Sequence, residues 1–133
     1  MLKILLPLIS ATLLLACPPC KDAHIEVTGV VSQKRFPGAP NFTSVAAGDR
    51  EEHYWFVTAP EARCFAPDGA FLDAETSLSD FQLLTGGRDF GLREGERFKV
   101  SGTTLPAASG HHHSKVMIVV HAIEKDSAAT LVK

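Results

Sequence analysis

The chain has 133 residues, 45% of them hydrophobic, which is enough for the packed core of one domain. Lysine and arginine together number 13 against 15 aspartate and glutamate residues, so the formal net charge is -2. Because this balance lacks the basic surface of a nucleic-acid-binding protein, nucleic acid is excluded as a predicted partner.

The first predicted element is an N-terminal secretion signal over residues 1–16. Lys3 precedes an apolar run from Ile4 to Leu15, and this run is too short to cross a hydrocarbon core of about 30 Å as a helix. The run ends in LLAC, which resembles the bacterial lipobox, where the cysteine is lipidated and becomes the mature N-terminus. The sequence therefore predicts lipidation of Cys17, and the alternative is a signal cleaved nearby without lipid.

Removal of residues 1–16 takes one lysine away, so 12 lysines and arginines face 15 acidic residues and the formal charge becomes -3. Of the remaining chain, we expect residues 17–24 to form a tether, 25–125 a single β domain and 126–133 a C-terminal tail. The predicted location is the bacterial cell envelope, lipid-anchored and in the outer membrane facing the periplasm. The membrane is thus a predicted partner through the lipid anchor.

Three cysteines bear on this location: Cys17, Cys20 and Cys64. The first two form CPPC, but this motif follows a signal rather than a strand, which makes thioredoxin-like redox chemistry the weaker interpretation. If Cys17 carries lipid, Cys20 and Cys64 remain. In an oxidising compartment we expect those two to form a disulfide.

The mature chain has the period-2 hydrophobic pattern of β-strands almost throughout. Short turns of helix have their best candidates at 59–63 and 86–94. Gly29 and Gly102 lie inside predicted strands, where glycine permits the sharp coiling that barrel closure requires. The predicted fold is therefore all-β, a small five-stranded OB-like barrel with little helix, and the alternative is a β-sandwich. The predicted strands are 25–31, 53–57, 81–84, 97–103 and 115–124.

The segment 35–56 is rich in proline, glycine and asparagine, which favour fixed turns. We predict that it forms a rigid loop between the first two strands and lines a ligand- or partner-binding surface. The alternative is that its aromatic residues cap one end of the barrel and that GDREE (48–52) is a solvated turn. The predicted binding residues are Arg35, Phe36, Pro37, Asn41, Phe42, Asp49, Tyr54 and Trp55.

Four short motifs occur together along the chain. They are Phe36-Pro37-Gly38-x-Pro40-Asn41 followed by an aromatic residue, Gly48-Asp49, Trp55, and Gly110-His111-His112-His113. In this combination, from about Thr28 to Val120, the chain resembles a bacterial secreted family known as domain of unknown function 4431. Position 42 is Phe where the family pattern has Tyr, so no hydroxyl role carries over. The resemblance implies an envelope protein and no particular activity.

Three consecutive histidines precede the most apolar predicted strand. Neutral imidazole binds zinc and copper, but neighbours in an extended chain point in opposite directions, so His111 and His113 are the predicted metal ligands. The alternatives are packing of the rings on the aromatic residues of HYWF (53–56) and contact with a partner. A workable metal site uses both histidines, or one of them with His121, His53, His24 or a carboxylate from DREE (49–52).

The sequence lacks a nucleophile elbow, a phosphate-binding loop and the ligand spacing of a zinc hydrolase, so no enzymatic activity is predicted. The predicted function is a non-enzymatic envelope binding module, without a cofactor, for a protein partner or for a small or cell-wall ligand. The alternative is a copper- or zinc-binding envelope protein that uses the 111–113 histidines. Metal binding would fall below about pH 6 as imidazole is protonated, whereas partner binding would tolerate chelators.

Overall fold

The computed structural model describes residues 16–126. The predicted signal peptide and tail lie outside the described residues, apart from Ala16 and Asp126. Within the described part of the chain, no helix is long and apolar enough to cross a membrane. The strands are β1 (His24–Pro37), β2 (Glu51–Phe65), β3 (Thr76–Leu84), β4 (Arg97–Pro106) and β5 (Val116–Lys125).

The five strands close into a barrel in the order β1-β2-β3-β5-β4. Neighbouring strands are antiparallel except for β3 and β5, which run parallel and pair only at Leu83 and Leu84. This closed all-β barrel confirms the predicted OB-like fold, and the β-sandwich alternative is wrong.

The core follows from the alternation along each strand. In β1, Ile25, Val27 and Val31 are buried and point inward, while Glu26 between them is exposed. Inward side chains of the other four strands complete the core. The completely buried residues among them include Phe65, Phe81, Val57, Val100, Val116 and Ile118.

Gly29 and Gly102 lie where neighbouring strands approach closely. A Cβ at Gly29 would overlap the carbonyl oxygen of Thr58, and one at Gly102 would overlap that of Val119. Gly102 also adjoins the register shift between β4 and β5. Glycine at these positions therefore permits close approach of the strands.

We expect Gly102→Ala to lower the free energy of unfolding by about 2 kcal/mol, because the added methyl fits only if the backbone of β5 moves. Urea denaturation, with Thr103→Ala as the matched neighbour, measures the difference. An unfolding midpoint for Gly102→Ala equal to that of the wild type would contradict the close approach at this position.

One of the two candidate helical turns, 59–63, lies in β2. The pairing of β2 with β3 runs through Thr58 and resumes at Arg63, with a register shift between them. The interruption explains why the strand pattern is lost there in the sequence. The other candidate, 86–94, consists of turns and irregular chain between β3 and β4.

The N-terminal segment before β1 packs on the barrel instead of forming the predicted tether. The amide of Asp22 donates to the carbonyl of Thr104 at 2.8 Å, and the hydroxyl of Thr104 donates to the carbonyl of Pro19 at 3.1 Å. Cys20 is only 1% exposed and belongs to the core. The segment therefore packs on β4 and contributes Cys20 to the core of the barrel.

The disulfide joins Cys17 to Cys64, so the predicted pairing of Cys20 with Cys64 is wrong. Pro19 and Ala66 form a parallel β-bridge. Cys17 and Cys64 each lie two residues before these bridge partners, so the bridge places the two cysteines side by side. Cys20 points inward and remains a free, buried thiol. Burial in the core raises the pKa of this thiol.

Candidate functional site

Two loops meet on the outer face of β1, β2 and β3. The first loop (38–50) connects β1 to β2, and the histidine loop (107–115) connects β4 to β5. The first loop is shorter than the predicted 35–56 segment, because residues 35–37 complete β1 and residues 51–56 begin β2.

Asp49 fixes the shape of the first loop. Its carboxylate accepts hydrogen bonds from the backbone amides of Ser44 at 3.0 Å, Thr43 at 2.9 Å and Asn41 at 2.9 Å. These bonds, that from Ser44 foremost, lower the pKa of Asp49 to about 2. With 5% exposure, Asp49 is a buried acceptor rather than part of a solvated turn.

Glu52 joins β2 to the histidine loop. Its carboxylate accepts a hydrogen bond from the hydroxyl of Tyr54 and lies 2.7 Å from Nδ1 of His111. The bond from Tyr54, followed by that from His111, lowers the pKa of Glu52. Burial and the neighbouring carboxylate raise the pKa of Tyr54 to about 12, so the phenol keeps its proton and remains a donor.

The imidazole rings of His111 and His113 pack on aromatic side chains, but mainly on Phe36 and Phe42 rather than on residues 53–56. Of those four, Tyr54 lies 5.6 Å from the ring of His113. His113 stacks on Phe36 with ring centroids 3.7 Å apart and an interplanar angle of 2°. His111 meets Phe42 edge-on at 5.0 Å. A Cβ at Gly110 would lie 3.0 Å from the ring of Phe42, so a larger residue here would have to displace that ring slightly.

Gln82, near the end of β3, holds the histidine loop against the strands. Its side-chain amide donates to the carbonyl of His111 at 2.9 Å, and its Oε1 accepts the backbone amide of His113 at 2.6 Å. Its own backbone amide donates to the hydroxyl of Ser114 at 3.0 Å. Gln82 is completely buried as a result.

A cavity of about 440 Å³ remains between the histidine loop and the strands. The rings of Phe36 and Phe56 and the side chain of Leu78 form its apolar floor. At its rim, Lys34 pairs with Asp80 and places its ammonium 4.4 Å from the centroid of the Phe56 ring. The remaining lining residues are Thr76, Ser77, His113, Ser114 and Lys115.

The structure gathers only some of the predicted binding residues. Phe36, Phe42 and Tyr54 surround the histidines, whereas Arg35 is exposed and its side chain pairs with Glu51 at 3.7 Å. Trp55 packs on the core and lines a separate cavity, because adjacent strand residues face opposite ways. Pro37 ends β1 directly before the first loop, and Asn41 lies within that loop and is exposed.

Several residues around the two loops and the cavity could not be identified from the sequence. The sequence offered Glu52 only as one of the three carboxylates of DREE (49–52), and Gln82, Lys34 and Lys115 belong to no recognisable motif. The alternation of β3 indicates that Gln82 points outward. Nothing in the sequence indicates that a loop thirty residues later covers it.

The predicted metal ligands point to different partners. His111 reaches Glu52, one of the predicted DREE carboxylates, whereas His113 lies on Phe36 and its Nε2 is buried without a partner among residues 16–126. The one group of three ligand atoms within 4.8 Å of each other in the described part of the chain is that of Cys17, Cys64 and Glu75. Two of these are joined in the disulfide, and metal binding by the histidines stays a prediction.

We expect the protein to lose stability as the pH falls. Burial lowers the pKa of His113 below its ordinary 6.5, and hydrogen bonds lower that of Glu52 below 4.5 and that of Asp49 from 3.8 to about 2. Each of the three groups takes up its proton at a higher pH in the unfolded chain than in the folded one. Stability therefore declines below pH 6.5 and again from about pH 4.5 towards 2.

Urea denaturation between pH 7 and pH 3 checks this dependence. Asp49→Asn should weaken the dependence at the lowest pH values, while the exposed Asp73→Asn should keep it. A stability that stays constant or rises on acidification would contradict the buried, hydrogen-bonded arrangement of these groups.

A family model described as a domain of unknown function, DUF4431, matches residues 80–124. The match confirms the resemblance over the end of β3, β4, the histidine loop and β5, and it includes Gln82. The motifs of the first loop lie outside the matched residues. No curated protein and no solved structure matches the chain.

Proposed function

We propose that the protein is a non-enzymatic binding module of the bacterial envelope whose ligand occupies the cavity between β3 and the histidine loop. The observation that carries the proposal is that cavity, an open space of about 440 Å³ with an apolar floor and charged groups at its rim. Ligand sites commonly combine these features. In OB-folds, the face of the second and third strands and the loops beside it bind ligands, which is an argument from the fold alone.

The rigidity of the first loop and of the histidine loop also supports a binding role. Gln82 holds the histidine loop, Asp49 holds the first loop, and Glu52 lies within hydrogen-bonding distance of His111. A site built in advance loses less conformational entropy when its ligand binds. The hydroxyl of Ser114 donates to the carbonyl of Val116 and accepts the amide of Gln82, so this serine has a structural role beside the cavity.

The proposal is tested by NMR titration of the ¹⁵N-labelled protein with fractions of an envelope extract: soluble peptidoglycan fragments, small molecules and periplasmic proteins. Ser77→Trp fills the cavity from an exposed strand position, and Gln33→Trp places the same side chain at an exposed position of β1 away from it. We expect one fraction to shift the amides of Leu78, His113 and Lys115, in the wild type and Gln33→Trp but not in Ser77→Trp.

Two results would overturn this proposal. The first is that no fraction perturbs the amides around the cavity. The second is that the shifts map elsewhere on the barrel or persist unchanged in Ser77→Trp, which would place the ligand outside the cavity.

Zinc or copper binding by His111 and His113 remains the alternative function. We expect metal binding to be weak, because Nδ1 of His111 already lies at Glu52 and His113 is stacked on Phe36. Calorimetric titration with ZnCl₂ and CuCl₂ separates the two functions. Tight one-to-one binding that is lost in His111→Ala/His113→Ala would favour the metal-binding alternative.

The proposed location in the envelope is supported by the Cys17–Cys64 disulfide, since such bonds persist in oxidising compartments. The proposed lipid anchor has a further requirement. A lipid thioether on Cys17 would use the sulfur that the structure pairs with Cys64, so an anchored molecule would lack this disulfide.

A further inference from the structure

We propose that the ligand of this cavity is an extended peptide segment of a partner protein, which pairs with the open edge of β3 and places an acidic side chain against Lys115. The inference rests on the proposed function and adds the class of partner to it. Three observations carry it: an unpaired strand edge, two adjoining cavities along that edge, and an unpaired cation between them.

The first observation is the edge of β3. The strand runs from Thr76 to Leu84, but β5 pairs with it only at Leu83 and Leu84. The backbone amide of Gln82 donates to the hydroxyl of Ser114 instead of to a neighbouring strand. The segment from Thr76 to Asp80 therefore has no strand neighbour on the β5 side within residues 16–126.

Such an edge binds peptides by strand addition. The unpaired backbone groups of the edge bond to the peptide backbone, and pockets beside the edge select alternate side chains. Five residues at about 3.3 Å each span roughly 16 Å, which suits an extended segment of four or five residues. The open edge here has that length.

The second observation is that two cavities lie along this edge. The cavity with the floor of Phe36, Phe56 and Leu78 shares Thr76 and Lys115 with a smaller one of about 260 Å³. Phe71, which is 59% exposed, lines the smaller cavity. An extended peptide presents alternate side chains to one side, so two adjoining pockets fit two such side chains.

The third observation is the charge. Of the two lysines of the larger cavity, Lys34 is paired with Asp80, whereas the ammonium of Lys115 has no ion-pair partner among the described residues. The larger cavity therefore has a surplus of one positive charge in a chain whose formal charge is negative. This surplus complements a carboxylate, and the apolar floor accepts an aliphatic or aromatic side chain.

The experiment begins with a library of random linear peptides displayed on phage and selected on the purified protein. Synthetic peptides from the selection are then measured by fluorescence anisotropy on the wild type, on Lys115→Glu and on the matched control Lys21→Glu. This control reverses an exposed charge that lines neither of the two cavities. Hydrogen–deuterium exchange with bound peptide locates the contact, and peptides N-methylated at alternate residues test backbone pairing.

We expect selected peptides with an acidic and an apolar residue, and affinity that falls about tenfold in Lys115→Glu but not in Lys21→Glu. The amides of 76–80 should exchange more slowly when peptide is bound, and N-methylation should abolish binding at every second residue only. The proposal is wrong if no peptide is selected, if Lys115→Glu binds equally well, or if 76–80 is not protected. If a non-peptide fraction still shifts the amides around the cavity in the NMR titration, the proposed binding function stands. Only the proposal that the ligand is a peptide is then refuted.

Discussion

Replacing Gln82 by leucine is expected to release the histidine loop and to lower the free energy of unfolding by about 3 kcal/mol. The leucine fills a similar volume but leaves the carbonyl of His111 and the amide of His113 without their buried partners. Each unsatisfied buried group costs about 1–3 kcal/mol. The loss should thus far exceed that of an exposed glutamine.

Gln33→Leu is the matched control, since Gln33 is exposed on β1 and its replacement should change stability by no more than about 0.5 kcal/mol. Chemical denaturation measures both variants. Hydrogen–deuterium exchange should show fast exchange of the His113 amide in Gln82→Leu alone. A variant as stable as the wild type, with the amide still protected, would mean that the stacking of His113 on Phe36 suffices to hold the loop.

The strand pattern allowed the fold to be predicted because side chains along a strand point alternately inward and outward, and the buried residues of β1 and β4 follow this alternation. The pattern is weaker where a strand extends beyond the core. β2 begins at Glu51 and β3 at Thr76, both earlier than predicted. The prediction missed these strand ends because most of their side chains are polar and face solvent or the cavity. Strand ends of this kind carry no hydrophobic signal.

The candidate site was predictable only in part, and the reason is topological. The aromatic residues of β1 and β2 and the histidines were identified as types of residue that bind or pack, and the structure brings them together. Gln82 and Lys115 acquire their roles only because the loop after β4 folds back over β3. That contact spans about thirty residues of sequence and leaves no local pattern.

Loss of the Cys17–Cys64 disulfide is expected to cost about 4 kcal/mol of stability, because the bond closes a loop across a sequence separation of 47 residues. We therefore expect Cys17→Ser and Cys64→Ser to be equally destabilised, and the double variant to be no worse than either one. Cys20→Ala loses only a small buried side chain and should remain sensitive to reductant.

Urea denaturation with and without a phosphine reductant measures these effects on protein folded under oxidising conditions. The wild type should lose stability on reduction, whereas Cys64→Ser should not respond. If Cys17→Ser were harmless and Cys20→Ala abolished the sensitivity to reductant, the pairing first predicted from the sequence would be correct and that of the structure wrong.

The proposed lipid anchor would be attached to Cys17, the same cysteine that forms this disulfide. A molecule with lipid on Cys17 lacks the Cys17–Cys64 disulfide. Cys20 could pair with Cys64 in its place only by turning outward, which would leave a gap in the core. Lipidation therefore competes with the most stabilising cross-link of the fold. Metabolic labelling with an alkyne fatty acid, followed by intact-mass measurement with thiol alkylation, distinguishes the forms. Unlabelled protein with one alkylated thiol corresponds to the Cys17–Cys64 form, in which Cys20 is the free thiol.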